Sequence, residues 1–422
     1  MTFPAASLSR LCMALAPFLF TAVNVQASGF AIPERSAAGM GMANALVANP
    51  DDISALAYNP SLAVFHQQAN ISNSLMLIKP TLEVTPSATG GSYQESQGDR
   101  NVWIPGLSGH LTLPNQTALI LNVSAPFGLE TNWPNGTFPE AASYDPSSGL
   151  LPGTTGAAQP TDSKLAILGV SPSVAFKIND HTAFALGLDY YQVREVAFNA
   201  VAKQNEGDGD GWGYNLSFTN QPTANITLGL SYHSPATANI EGTTVASSGT
   251  SRATTELTLP WRVQLGLQAA INDDLALEFD ITRTGWNNFN VLQINSDSPT
   301  TSVNNWKDAN TYHLGMQYAL HDKTRLRLGY SYDKTRQPDR YFGARVPDSD
   351  RHLFGIGIGH QFDDGWNIDA GYMYVLFKDR AINNSTTPTP PGTDLNGTNA
   401  YNGTYKTHAH LLGITLSKHF DL

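Results

Sequence analysis

Cysteine is almost absent from this 422-residue chain, in which Cys12 is the only one. Charge is scarce too, at 14% of residues, against roughly 25% in an ordinary soluble domain. Basic residues are outnumbered 24 to 35, and the net charge of -11 argues against nucleic acid as a partner. After the first ~25 residues no apolar run is long enough to cross a bilayer as a helix, which excludes a helical membrane protein. What is plentiful is glycine, 36 residues, and aromatic side chains, 10%. That composition fits a large all-β protein. The length alone suggests two or three domains, but barrels exceed that expectation.

The start of the chain reads as a secretory signal. Arg10 is followed by the apolar stretch LCMALAPFLFTAV and then by Val25-Gln26-Ala27, with small residues at the -3 and -1 positions. Cleavage is expected after Ala27, so residues 1–27 are assigned to the signal peptide. Cys12 goes with it, as does Arg10, leaving 395 residues with net charge -12. An exported chain without disulfides must be held together by its fold.

From about Ala69 onward, short apolar/polar alternations are separated by turns. In TRLRLGYSYD, Leu326, Leu328, Tyr330 and Tyr332 share one face, opposite Arg325, Arg327, Gly329 and Ser331. DLALEFDIT, TYHLGMQYAL and HLFGIGIGHQF repeat the pattern of one large apolar face and one small or polar face. Tight connections rich in Asn, Asp and Pro fall at 113–117, 178–182, 219–225, 271–275, 320–324 and 362–366. Longer polar links are expected near 84–100, 129–163, 204–211, 242–253, 295–307, 334–349 and 379–405. Six short and seven long connections join fourteen strands. Short turns on one rim and long loops on the other organise an outer-membrane β-barrel. A soluble β-sandwich is the competing architecture. It would bury its large apolar faces and needs no such asymmetry. Closure in a barrel pairs every backbone group, as lipid demands.

Residues 28–66 do not alternate. This stretch, SGFAIPERSAAGMGMANALVANPDDISALAYNPSLAVFH, is rich in Ala and Gly. A compact plug in the lumen, ahead of a barrel at 67–422, is its most economical placement, and a flexible leader is the alternative. Its apolar content speaks against disorder.

The plug segment resembles the N-terminal hatch of the FadL family of outer-membrane long-chain fatty acid transporters. The matching features are Gly29-Phe30, Glu34, Ser36, Gly39, Gly41, Ala43, Asp51-Asp52 and Asn59-Pro60-Ser61, the last standing where the family usually has Asn-Pro-Ala. LTLPWRVQLG, TRTGWNNF, NWKDANTYHLG, RLGYSYDKTRQP and PDSDRHLFGIGIGHQF also resemble family segments, in order. The resemblance implies a fourteen-stranded antiparallel transmembrane barrel, plugged by the hatch, in the outer membrane of a Gram-negative bacterium. It implies a monomer carrying a long-chain fatty acid or another hydrophobic molecule inward, with outer-membrane lipid and lipopolysaccharide around it. The links after strands five and seven are shorter than in the best-known fatty acid transporters, which puts the family's outer docking groove in doubt.

By resemblance, Asn59, Pro60 and Ser61 lie at the base of the ligand pocket; a plain turn before the first strand is the other reading. Strand three carries Pro126, Phe127 and Gly128 in its outer half. Proline cannot donate to the ladder and glycine permits a bulge, so a gap there would release an apolar ligand sideways into the membrane. The family has a kink at the matching position; the simpler reading is that Pro126 ends the strand. A carboxylate anchor would be Arg or Lys, and by position in the family segments Arg194 and Lys307 match. Strict alternation puts Arg194 on the face of Leu186, Leu188 and Tyr190, so either a bulge turns it inward or it meets lipopolysaccharide phosphate. Asp208-Gly209-Asp210-Gly211 resembles part of a calcium loop but lacks the later ligands. His408 and His410 share a strand face, which makes no metal site. No cofactor and no catalytic set is expected. An open porin or a barrel phospholipase is a less economical reading than a transporter, and within the transporters aromatic or alkane hydrocarbons remain an alternative cargo.

Overall fold

The computed structural model describes residues 29–66, 69–87, 93–98, 101–139, 141, 158–386 and 394–420. The signal peptide expected at 1–27 and its cleavage site lie outside them. The described chain is all-β apart from short helical turns near the N-terminus and in the loops.

Fourteen antiparallel strands close into one barrel. They are β1 (Ala69–Pro86), β2 (Val102–Thr112), β3 (Thr117–Asn132), β4 (Pro160–Asn179), β5 (Thr182–Ala200) and β6 (Gln204–Thr223). β7 runs through Ile226–His233 and Ala236–Ala246, broken at Pro235, and β8 through Gly249–Leu259 and Arg262–Ala270, broken at Pro260. β9 (Leu275–Thr284), β10 (Ala309–His321), β11 (Thr324–Asp333), β12 (Arg351–Gln361), β13 (Trp366–Phe377) and β14 (Gly403–Phe420) complete it. β1 closes on β14, with Ala69 opposite Phe420 and Pro86 opposite Gly403.

The alternation is that of a soluble protein turned inside out. Leu328, Ile356 and Ile414 are 46%, 54% and 57% exposed, while Arg327, Gly355 and Thr415 on the opposite faces are buried. Lipid therefore meets the large apolar face, and the lumen meets the small or polar one. The turns expected at 113–117 and 362–366 form, helped by positive φ at Gln116 (63°) and Gly365 (80°).

Two expected links are not loops. Residues 204–211 belong to β6, where Asp208 and Asp210 are outward and exposed, and 242–253 belong mostly to β7 and β8. The ladder of β6 with β7 runs from Gln204 opposite Val245 to Gly211 opposite Ala238 and resumes from Asn215 opposite His233 to Thr223 opposite Ile226. Only residues 201–203 and 247–248 turn the chain. The Asp-Gly-Asp-Gly stretch is thus extended strand, neither a calcium loop nor a turn. Below it, Trp212 and Tyr190 pack against each other at a tilt with ring centroids 4.6 Å apart, marking the outer aromatic girdle.

Candidate functional site

Residues 29–66 are largely buried and pack against inward-facing side chains of the wall. Three side-chain caps set their local shape. Ser36 caps α1 (Ala37–Gly41), accepting the Gly39 N–H at 3.0 Å. Asp52 and Asn59 cap the 3-10 turns Ile53–Ala57 and Pro60–Phe65 in the same way. Small residues keep this backbone thin, and wall glycines let it approach. A side chain at Gly329 would collide with the Met42–Ala43 backbone, and one at Gly355 with the Met40 carbonyl.

Polar wall residues then fasten it. Arg327 donates from Nη2 to Asp52 Oδ2 and from Nη1 to Asp369 Oδ1, both at 2.7 Å. Burial works against ionising Asp52, but Arg327 and Arg325 outweigh it and hold the carboxyl below its ordinary range. Asp280 Oδ2 accepts the Leu46 and Val47 N–H groups at 3.1 and 3.3 Å, and Glu278 Oε1 accepts Ala48 N–H at 2.6 Å. Asn59 Nδ2 donates to Val47 O at 2.8 Å and to Thr219 Oγ1 at 3.0 Å. Ser61 N–H donates to Ser217 Oγ at 3.0 Å. Asn59, Pro60 and Ser61 are fully buried. Their hydrogen bonds join the segment to β6 near the short-turn rim.

The wall is incomplete between β2 and β3. β3 pairs with β2 only from Ala118 to Val123, yet continues along β4 to Asn132. The β3–β4 register shifts between Ser124 and Phe127, around Pro126. Proline supplies no donor there, and Pro126 does not end the strand. Gly128 is not among the described residues with positive φ, so the irregularity lies with Pro126 and the shift. The N-terminal tip fills the gap from inside. Ile32 N–H donates to Pro126 O and Gly128 N–H to Phe30 O, both at 2.9 Å. Ala31 and Phe127 thereby form an isolated antiparallel bridge.

Above the tip lies an apolar cavity of about 80 Å³. Phe30, Leu129, Leu165, Leu257 and Phe289 line it, and Lys164 and Arg345 bring positive charge to it. Phe30 packs edge-on against Trp286 and Phe289, with centroids at 4.7 and 5.4 Å. Lys164 pairs with Glu195 at 3.0 Å. Arg345 donates to Ser163 Oγ at 2.8 Å and to Asn199 O at 2.7 Å, stacks over Phe198 at 3.7 Å, and lies 3.6 Å from Asp394. A cavity of about 150 Å³ is known to take benzene. At half that size, loading with even one aromatic ring requires a lining group to move.

The two cations expected as anchors lie elsewhere. The β5–β6 register does shift between Val193 and Val196, but Arg194 stays exposed on the outer face, four residues beyond Tyr190 of the girdle. The alternation is preserved up to the bulge, so the bulge fails to turn it inward. Lys307 is exposed in a loop, while its neighbour Trp306 enters the aromatic cluster under Phe30. Lys164 and Arg345 were not anticipated. Lys164 alternates with the inward-facing Leu165 and Ile167 in KLAILG, so the period of two assigned it to the other face and gave no signal of its place at the cavity edge. Arg345 sits in a long link whose folding back over the lumen has no periodicity to announce it.

Among known proteins, the chain is similar to the 47 kDa outer membrane protein of Pasteurella multocida, at 23% identity over 86% of this chain and 91% of that one. It is 24% identical to outer membrane protein P1 of Haemophilus influenzae over 95% of this chain and 97% of that one. In fold it is similar to a Pseudomonas aeruginosa FadL homologue, with TM-score 0.77, 19% identity and coverage of 93% and 100%. The Pseudomonas putida toluene transporter TodX follows at TM-score 0.68, 14% identity and coverage of 93% and 100%. The profile of the outer membrane protein transport protein family (OMPP1/FadL/TodX) matches residues 18–420. The chain belongs to that family, whose members sit in the Gram-negative outer membrane and transport hydrophobic compounds.

Proposed function

We propose that this barrel takes up long-chain fatty acids, or amphipathic molecules of similar shape, through the apolar cavity and out through the β2–β3 gap. One observation carries the reading: Phe30 both lines the cavity and bonds to Gly128 at the break in the wall. Displacing the tip would enlarge the cavity and open the wall together. Lys164 and Arg345 suit a carboxylate head, and the leucines and phenylalanines suit the chain. Releasing the tip forfeits two backbone bonds at ~1 kcal/mol each and the burial of one phenylalanine, ~2 kcal/mol. Burying about five methylenes at ~0.8 kcal/mol each offsets that. Asn59, Pro60 and Ser61 are read as the anchor beneath the route. A filled lumen, in place of an open porin's channel, predicts low ion conductance.

A second reading has its own support. Glu195 and Asp394 already face the two cations, and the tip cluster is aromatic, which suits a neutral monoaromatic. Binding of a long-chain acid and of its alcohol separates the two. The acid should bind Lys164→Ala about tenfold more weakly than wild type, through loss of a charge-assisted bond, and the alcohol should be unaffected. Equal binding of acid and alcohol by wild type and variant would remove the fatty acid reading and favour a neutral cargo.

A further inference from the structure

The closing seam of the barrel carries a second, outward-facing feature. Outward residues of β13, β14, β1 and β2 are registered in rows. Tyr372, Leu412, Leu77 and Trp103 form one row. The next row away from the short-turn rim is Tyr374, His410 and Lys79, and the one beyond it is Leu376, His408 and Thr81. Lys406 and Glu83 follow. On the rim side the β14 face is apolar, with Ile414 and Leu416.

The rings hold one another. His410 lies 5.0 Å from the Tyr374 ring, 6.2 Å from Tyr372 and 5.8 Å from His408, centroid to centroid. Tyr372 Oη and His410 Nδ1 are hydrogen-bonded at 2.9 Å. Lys79 is exposed beside them. A lysine facing lipid costs roughly 2–4 kcal/mol at the bilayer centre and about 0–1 near the interface. The Tyr372 and Trp103 row therefore sits at the edge of the hydrocarbon, and Lys79, His410 and His408 sit at headgroup depth. Around the barrel, β6 and β7 hold Glu206, Asp208, Asp210 and Glu241 outward above the Trp212 girdle. Outward cations also occur elsewhere, with Arg194 on β5, Arg252 paired with Glu241 and Arg283 paired with Asp308, but at the seam Lys79, His410 and His408 stand in adjacent rows. The acidic groups near it are Glu83, which stands opposite Lys406 and also opposite Glu95, and Asp379, 3.4 Å from Lys406 Nζ. None of the three shares the row of Lys79.

We infer that the outward face of β13, β14 and β1 binds the phosphate of a phosphorylated outer-leaflet glycolipid, with Lys79, His408 and His410 as the phosphate contacts. Tyr372, Tyr374 and Trp103 pack against the region where its sugars meet its acyl chains. The match rests on charge complementarity at headgroup depth on a lipid-facing wall. It is independent of which cargo the lumen carries.

Native mass spectrometry of the full-length mature barrel tests this, with diphosphorylated lipid A, its dephosphorylated form and inorganic phosphate as probes. Wild type should retain the diphosphorylated lipid about tenfold better than the dephosphorylated one. Lys79→Ala with His410→Ala should abolish that preference, and Lys79→Arg should keep it. Both side chains point away from the lumen, so thermal unfolding should be nearly unchanged; if the double variant does not fold, Lys79→Gln alone is read the same way. Equal retention of the two lipids by wild type, or an undiminished preference in the variant, would overturn the inference. Displacement of the lipid by inorganic phosphate would overturn it too, because the site would then recognise a free anion.

Discussion

The body and the tip of the N-terminal segment touch the same wall in different ways. Residues 37–61 meet hydroxyls on β6 and glycines or buried charges on β9, β11 and β12, and Arg327 ties Asp52 to Asp369. Residues 30–32 make two backbone bonds to an irregular strand and pack against aromatic rings. The body's contacts are specific and cannot be partly made. The tip's contacts are generic, and an apolar ligand could replace them. A segment built this way can release one end while the other stays docked, which is what a gated route past a fixed plug needs.

The largest effect should come from pinning the tip. Ala31 and Phe127 form the non-hydrogen-bonded kind of antiparallel pair, whose Cα atoms lie close enough for a disulfide. No cysteine occurs among residues 29–420 to compete. Ala31→Cys with Phe127→Cys should lose uptake when oxidised and regain it with reductant, while each single variant transports. Uptake by the oxidised barrel at the wild-type rate would mean the tip does not move and the comparison is empty.

Breaking the body should be the next largest. Arg327→Met strands two buried carboxylates, and losing one member of a buried ion pair costs about 3–5 kcal/mol. The body should loosen, and ion conductance in planar bilayers should rise well above that of wild type. Phe30→Ala removes a tip contact and should leave conductance low while speeding uptake. If both variants leak equally, body and tip are one unit. Smaller again is overpacking: Gly355→Val pushes a side chain into the Met40 carbonyl, for about 1–3 kcal/mol. Increased protease access to residues 37–48 measures it, and unchanged access would mean the close approach is not tight.

Most of the barrel was legible because lipid imposes a strict period of two. Leu326, Leu328, Tyr330 and Tyr332 had to share a face, and they face out. The same rule correctly kept Arg194 outside, against the role its family position implied. Residues 204–211 and 242–253 were misread because they rise above the hydrocarbon. There the outward residues are Glu206, Asp208 and Asp210, so apolar alternation vanishes, and the glycines between them have low strand propensity. Pairing with neighbouring strands overrides that propensity. The break at Pro126 was visible from proline's missing donor, but its filling by Phe30 was not, because a bond between residues about a hundred apart leaves no local pattern. Arg345 was hidden for the same reason.

The smallest effect separates body from tip by pH. Glu34 sits at their junction, buried, with Asn44 Nδ2 donating to its Oε1 at 3.0 Å. Burial pushes its carboxyl above the ordinary carboxylate range, although Asn44 and Arg351 pull the other way. The docked segment therefore binds this proton more readily than the released one. Docking is favoured in acid, and that share is lost as pH rises from the ordinary carboxylate range through the raised value. Glu34→Gln keeps an acceptor for Asn44 and removes the titration. Hydrogen exchange of residues 34–44 should quicken in wild type as pH rises above the ordinary carboxylate range, beyond the intrinsic rate, and should lack that excess in the variant. Exchange at 30–32 should follow the same trend more weakly, since the tip has other reasons to leave. An excess that persists in Glu34→Gln would assign the pH response to another group and leave the junction without a role in release.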